Sequence, residues 1–360
     1  MRAPEIMEGK DHVLKAVGRI AVHDARQWRM GLGASMPRCN MAPCRLAIAQ
    51  RKPSMPRFPI LRAAVLALCL QGCATAAPVA APVMPPEPVA AEAAQGPALW
   101  KVADADTTIY LFGTIHALPK DVQWFEGPLA AALDSAGELV TEIPPGAAAD
   151  PASQQMIAMR AVMPRDQSLR AILSDEQRIS YEAAMTRVGL PVAAFDRFEP
   201  WFAGMTLGLL PLIKQGYAAD SGVEKIVETN AGPAVTRGAL ETLDDQISIF
   251  DNLPMDAQIA FLMSTADNID QIVPSMDAML GAWLAGDADA LAQMMNDGLN
   301  DPVLAKAILH DRNAKWAGWV DDRLDQPGVV FVAVGAGHLA GSKSVQDYLA
   351  QRGITVARVQ

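Results

Sequence analysis

Two histidines stand in the same local setting although more than two hundred residues separate them. His116 closes the segment Gly113-Thr114-Ile115-His116, and His338 closes Gly335-Ala336-Gly337-His338. An apolar run with strand character precedes each, residues 108–112 in the first case and 329–334 in the second. A glycine and then an imidazole therefore fall just past the carboxyl end of a strand, the edge where open α/β sheets hold their ligands. Glycine ahead of the histidine lets the backbone turn sharply and leaves room beside it. A histidine after a strand is ordinarily a hydrogen-bonded structural residue. The repeated setting points to a site, because only three histidines follow residue 23.

Residues 138–143 read as a third strand, carrying Glu142 near its end. If that strand runs beside the His116 strand in the same direction, its carboxylate emerges at the same edge. Two imidazoles and a carboxylate are a ligand set for a catalytic divalent metal with a position left for water. The same groups serve equally as general acid and base without metal. Glu241 follows another strand-like run, residues 234–240, and is expected as a base or further ligand; Gln246 lies in the helix after it. Arg312 and Asn313 fall within a late helix, where a permanent cation would hold a substrate carboxylate or a developing oxyanion. His310 is expected at the surface. The chain contains no His-Glu-x-x-His helix, P-loop or Gly-x-Ser-x-Gly elbow. Residues 335–340 fit a loose dinucleotide fingerprint but lack the ribose-binding acid about twenty residues on.

The elements that must position these residues follow from pattern. Residues 99–102 and 107–112 flank Asp104-Ala105-Asp106 and read as a hairpin. A helix is expected over 127–136. Ser174 caps another, and Glu199-Pro200-Trp201 opens one that runs to about Gly216. Helices resume from Asp256 to about Leu284, from Asp287 to about Met295, and within 302–324. A last helix near 342–352 precedes a closing apolar segment, 354–359. Strands thus lie at both ends and helices fill the middle. The expected fold is α/β, a mixed central sheet formed by the N- and C-terminal parts with a large helical insertion.

The front of the chain speaks of location. Arg57 and Arg62 flank a short apolar stretch ending in Leu70-Gln71-Gly72-Cys73. That is the pattern of a secretory signal, its apolar core too short to span a bilayer. The four final residues resemble a lipobox, which would make Cys73 the lipidated first residue of the mature protein. Residues 1–54 fit poorly ahead of a signal and are read as a mis-assigned extension, residues 55–73 as the signal, and the Ala/Pro-rich stretch 74–97 as a tether. The expected location is the bacterial envelope, anchored by lipid and facing the periplasm, outer membrane favoured. Residues 1–72 hold twelve Lys/Arg and four Asp/Glu, a net of +8 against −10 for the whole chain, which leaves −18 for the rest. Such acidity opposes nucleic-acid binding. No cysteine follows Cys73, so the folded part has neither disulfides nor thiolate ligands.

With these residues in view, residues 98–360 resemble the TraB/GumN family, relatives of the Tiki proteins. The match runs in order through Leu99-Trp100-Lys101-Val102, Leu111-Phe112-Gly113-Thr114-Ile115-His116, Glu142, Pro200-Trp201, Gly222-Val223, Leu240-Glu241-Thr242 with Gln246, Arg312-Asn313 and Gly335-Ala336-Gly337-His338. The resemblance implies a sheet-based fold with both Gly-x-x-His motifs and a glutamate in one cleft. Tiki relatives are described as manganese- or cobalt-dependent metalloproteases that trim peptides. The wider superfamily resembles erythromycin esterases and a haem-binding lipoprotein group. It therefore implies a metal-dependent peptidase holding manganese or cobalt, with zinc as a further option, on His116, Glu142 and His338. Metal-free ester or lactone hydrolysis and haem or small-ligand capture are the alternatives. Gly222-Val223-Glu224 departs from the Gly-x-Asp expected in many members, which leaves Asp220 nearby as a substitute.

Overall fold

The computed structural model describes residues 96–298 and 302–360. The expected extension, the signal with Cys73 and all but the end of the tether lie outside the described residues. The described residues form eight strands: β1 (Leu99–Ala103), β2 (Thr107–Thr114), β3 (Leu118–Pro119), β4 (Glu138–Thr141), β5 (Tyr217–Ala218), β6 (Thr236–Ala239), β7 (Gly328–Gly335) and β8 (Ala357–Arg358). The longer helices are α1 (Gly127–Ser135), α2 (Pro151–Arg160), α3 (Asp175–Arg187), α4 (Pro200–Gln215), α5 (Val223–Asn230), α6 (Leu243–Asp251), α7 (Met255–Asp267), α8 (Ile272–Leu284), α9 (Ala288–Gly298), α10 (Asp311–Leu324) and α11 (Val345–Gln351).

Six strands form a mixed sheet in the order β6-β4-β7-β2-β1-β8, and β3 pairs separately with β5. The run from β6 to β2 is parallel, whereas β1 is antiparallel to both β2 and β8. The fold is the expected α/β arrangement, with the first and last strands side by side and the helices between them. β4 does not neighbour β2 as the sequence reading supposed; β7 lies between them. That order still serves the site, because all three strands end at the same edge.

Both faces of the sheet are covered, which is why its strands read as continuous apolar runs. Phe112, Leu139, Phe331 and Ala333 pack on one face against Leu129, Leu133, Val223, Val227 and Trp283. Ile109, Leu111, Val140, Val330, Val332 and Val334 pack on the other against Trp316, Ala317, Val320 and Leu349. Each large side chain so buried contributes about 1.5–3 kcal/mol. Local signals set the helix ends. Ser174 and Gln177 form a capping box on α3, Thr242 and Asp245 one on α6, and Gly216 ends α4 at φ 98°.

Two expected helical stretches differ in detail, and one helix was not expected. The stretch from Asp256 to Leu284 is two helices, parted at Asn268 and a 3-10 turn, Ile269–Gln271. The stretch within 302–324 contains one π-helical turn, Lys306–His310, directly ahead of α10. Asp150 caps α2, a helix that periodicity did not single out. Among the described residues, no helix is long and apolar enough to cross a membrane.

Candidate functional site

Strand register sets the site. Thr114 of β2 stands opposite Gly335 of β7, Ala333 of β7 opposite Thr141 of β4, and Thr141 opposite Ala239 of β6. The ladder continues past the last strand residues, with the Glu241 N–H donating to the Glu142 carbonyl at 2.8 Å. Glu241, Glu142, Gly335 and the His116 turn thus follow one another along a single edge.

Two glycines permit the close approaches that bring the imidazoles there. A methyl on Gly113 would lie 3.0 Å from Cα of Ala336, so the bare glycine lets the turn Ala336–Leu339, carrying His338, fold against β2. A methyl on Gly222 would lie 2.2 Å from the His116 carbonyl oxygen, so the amino end of α5 abuts the His116 turn directly. The Val223 N–H donates to the Ile115 carbonyl at 3.0 Å and ties the two together.

His338 is buried and fully engaged. Arg312 Nη1 lies 3.0 Å from its Nε2, and Asn313 Oδ1 lies 2.5 Å from its Nδ1. A guanidinium only donates, so Nε2 accepts and the proton sits on Nδ1, donated to Asn313. The Asn313 amide is oriented by its own donation to the Lys343 carbonyl at 2.8 Å. Burial pushes the His338 pKa down to about 3. Glu142 pulls it upward, while Arg312 and His116 add to the lowering. The imidazole is neutral at neutral pH.

His116 is the opposite case. Its side chain is 75% exposed, and its Nδ1 lies 2.6 Å from Glu224 Oε1. Thr114 Oγ1 donates to the same carboxylate oxygen at 2.5 Å. The hydrogen bond with Glu224, helped by the charges of Glu224 and Glu142, raises the His116 pKa to about 9. Water reaches this ring, so the pair's contribution to stability is screened. Its Nε2 faces Gly335, at 4.0 Å from where a methyl on that residue would sit; the same point lies 3.0 Å from Glu142 Oε1 and 3.5 Å from His338 Cδ2.

Glu224 is the residue that sequence reasoning did not assign. It occupies the position of the expected Gly-x-Asp acid, in the first turn of α5 after Gly222, and as a glutamate it still meets His116. Asp220 is exposed in the 3-10 turn Ala219–Ser221. The spacing from Gly222 was the available signal; the side chain is one methylene longer than the pattern expects.

Glu142 is buried among donors. Oε1 accepts from the Gly335 N–H at 2.6 Å, and Oε2 accepts from Arg312 Nη2 and Gln246 Nε2, each at 2.7 Å. Burial opposes its ionisation, but the charges of His338, Arg312 and His116 with the Gly335 N–H outweigh that and hold its pKa at about 2. Since His338 is neutral at neutral pH, the lasting contributions are those of Arg312, the His116 charge and the Gly335 N–H.

Arg312 is bound through Nε and both Nη atoms inside the protein. Nε donates to Glu241 at 3.0 Å, Nη1 to the Ile308 carbonyl at 2.9 Å and to His338, and Nη2 to Glu142. Nη2 also lies 2.9 Å from a Glu241 oxygen as an ion pair. Of the five N–H groups of a guanidinium, four are thus engaged in hydrogen bonds. Glu241 is likewise engaged, by Arg312 and by Trp316 Nε1 at 3.1 Å. The two residues meet each other and join the same cluster as Glu142 and His338. His310 is half-buried and takes no part in these contacts.

The structure thus gathers Glu142, His338, Gln246, Glu241, Arg312 and Asn313 into one hydrogen-bonded cluster, with His116 facing it across Gly335. Among the described residues, no three His, Cys, Asp or Glu side chains close on a common point as a metal centre would. The donor set nevertheless suits a divalent ion. Each imidazole has Nδ1 tied to an oxygen, the arrangement that directs Nε2 toward a metal. Two buried carboxylates and one guanidinium leave the inner cluster one negative charge in excess. Ligation by His338 requires its Nε2 to release the Arg312 N–H.

A doubly covered mixed sheet with paired histidines and a glutamate at its carboxyl edge defines the class of molecule. The family model for the TraB/PrgY/gumN family matches residues 98–358, and the chain belongs to that family. It is also similar to an uncharacterized protein of Treponema pallidum (strain Nichols), with 24% identity over 326 residues, 82% of this chain and 97% of that protein. No solved structure matches the chain.

Proposed function

We propose that this protein is a metal-dependent hydrolase, a peptidase in its most specific form, with His116, Glu142 and His338 as the metal-holding residues. The observation that carries the reading is the pair of imidazoles, each with Nδ1 bound to a fixed oxygen acceptor, converging on Gly335 beside a carboxylate held ionised. A bound divalent ion supplies Lewis acidity and an acidified water. The chain's own residues do the rest. Glu224 aims His116, Asn313 holds the His338 tautomer, and Gln246 with the Gly335 N–H fixes the Glu142 carboxylate. Arg312 pairs with both Glu142 and Glu241, offsetting much of the cost of burying two carboxylates side by side. Manganese or cobalt follows from the family resemblance; zinc suits the same donors.

Support for the cellular setting comes from the sequence alone. The arginine-flanked apolar stretch ending at Cys73 supports a lipid-anchored envelope protein, and the Ala/Pro-rich residues after it support a tether to the domain at 98–360. The acidic balance supports a peptide or small-molecule substrate rather than nucleic acid.

The test is cleavage of a mixed peptide library followed by mass spectrometry, run on the full chain before and after dialysis against EDTA. Cleavage lost on dialysis and restored by manganese or cobalt supports the proposal; cleavage indifferent to chelation overturns its metal dependence. One observation favours a second reading. The exposed His116 ring, oriented by Glu224, has the build of a proton-transferring dyad. Metal-free hydrolysis of an ester or lactone would survive chelation and be lost in Glu224→Gln.

A further inference from the structure

Arg312 has a long, freely rotating side chain, yet its N–H groups meet their acceptors from one orientation. What fixes that orientation lies one turn along the same helix. Trp316 follows Arg312 by four positions and Asn313 by three, spacings that place all three on one side of α10. The indole is 2% exposed. Its Nε1 donates to Glu241 Oε1 at 3.1 Å. The Arg312 guanidinium carbon stands 4.7 Å from the centre of its ring, within cation–π range. The His338 ring lies 4.3 Å from it, tilted by 45°. One helix therefore meets His338 three times, with Asn313 at Nδ1, Arg312 at Nε2 and Trp316 beside the ring.

We propose that Trp316 is a positioning residue of the site: its indole N–H pins Glu241 and its ring supports Arg312, so that the guanidinium serves Glu142, Glu241 and His338 together. The contact with Glu241 is the decisive part. A tryptophan that merely fills the core needs only its apolar ring, and phenylalanine supplies much of that. A tryptophan that positions through its N–H cannot be replaced so, because phenylalanine removes one of the two donors to Glu241 Oε1 and leaves only the Arg312 Nε–H there. Glu241 is then held by Arg312 alone, and the two can turn together. The inference stands on these contacts whether or not the cleft proves to be a metal-dependent hydrolase.

The test is ¹⁵N-arginine NMR of the full chain, with the Arg312 Nε–H signal assigned by its loss in Arg312→Lys. In the wild type it should be resolved and slow to exchange with water. In a folded Trp316→Phe its exchange should accelerate by at least about tenfold, the equivalent of losing one charge-assisted hydrogen bond. An unchanged signal in a folded Trp316→Phe overturns the proposal. If that variant does not fold, Glu241→Gln interrogates the same bond through ¹⁵N-tryptophan spectra. A shifted Trp316 Nε1–H together with fast Arg312 exchange supports the proposal, and two unmoved signals reject it. Neither measurement uses catalytic activity, so a protein that cleaves nothing still decides the question.

Discussion

Glu224 and His116 form the cleft's exposed ion pair, and their coupling can be read by titration. In metal-free protein the His116 pKa should stand near 9 and fall toward 6.5 in Glu224→Gln, followed through the imidazole proton shifts. The sign follows from the raised value. The pair's stabilisation is complete below about 6.5 and disappears as pH rises through about 9, so wild type and variant should converge in stability at alkaline pH. Glu142 behaves inversely. Its folded pKa lies below the ordinary 4.5, so its contribution is present above that value and fades as pH falls toward 2. Denaturation of Glu142→Gln should lack that acid-side slope. Arg312 carries the largest expectation. Arg312→Ala strands two buried carboxylates and should cost about 3–5 kcal/mol in urea unfolding. Lysine should restore little, since one ammonium cannot fill four separate acceptor directions. A variant as stable as wild type would show that Arg312 does not offset the burial of the pair.

Elements place these residues through close backbone approaches, and glycine is where that can be tested. Gly222→Ala would push α5 off the His116 carbonyl and should destabilise by about 1–3 kcal/mol or more, with His116 and Glu224 parted. A crystal structure or a His116 titration of the variant checks that separation. Much of this layer was legible in the chain. Residues 107–112 and 329–334 read as strands because both faces of the sheet are covered, and Ser174 announced α3 by its capping chemistry. The acid at position 224 was visible but unassigned, because nothing local shows that the loop after β2 folds onto the start of α5. The π-helical turn ahead of Arg312 leaves no mark in periodicity, since its extra residue matters only against the packed neighbours. The roles of Glu241 and Arg312 were unreadable for a similar reason. Residue type announces that a group can donate or accept, but only the packed cluster shows which partners it meets.

At the scale of the whole domain, the fold sets its first and last strands side by side and places β7 between β4 and β2. That insertion puts Gly335 between Glu142 and His116, so the gap between the paired histidines exists only once the last long strand is in place. Sequence order could supply the strands but not this order, because parallel pairing across more than a hundred residues is decided by the shared core. The small residue at the centre is itself testable. Gly335 has φ −49° and ψ 133°, a conformation open to alanine, so Gly335→Ala should fold. Its methyl would nevertheless stand 3.0 Å from Glu142 Oε1, between the three proposed ligands, and should abolish metal binding. The most direct measurement is divalent-metal content and affinity of the full chain, by elemental analysis and calorimetry, beside the His116→Ala/His338→Ala double variant. Stoichiometric manganese, cobalt or zinc that disappears in a folded double variant is the result this account predicts. A wild-type protein that binds none of these ions, or a double variant that binds them equally well, would contradict it.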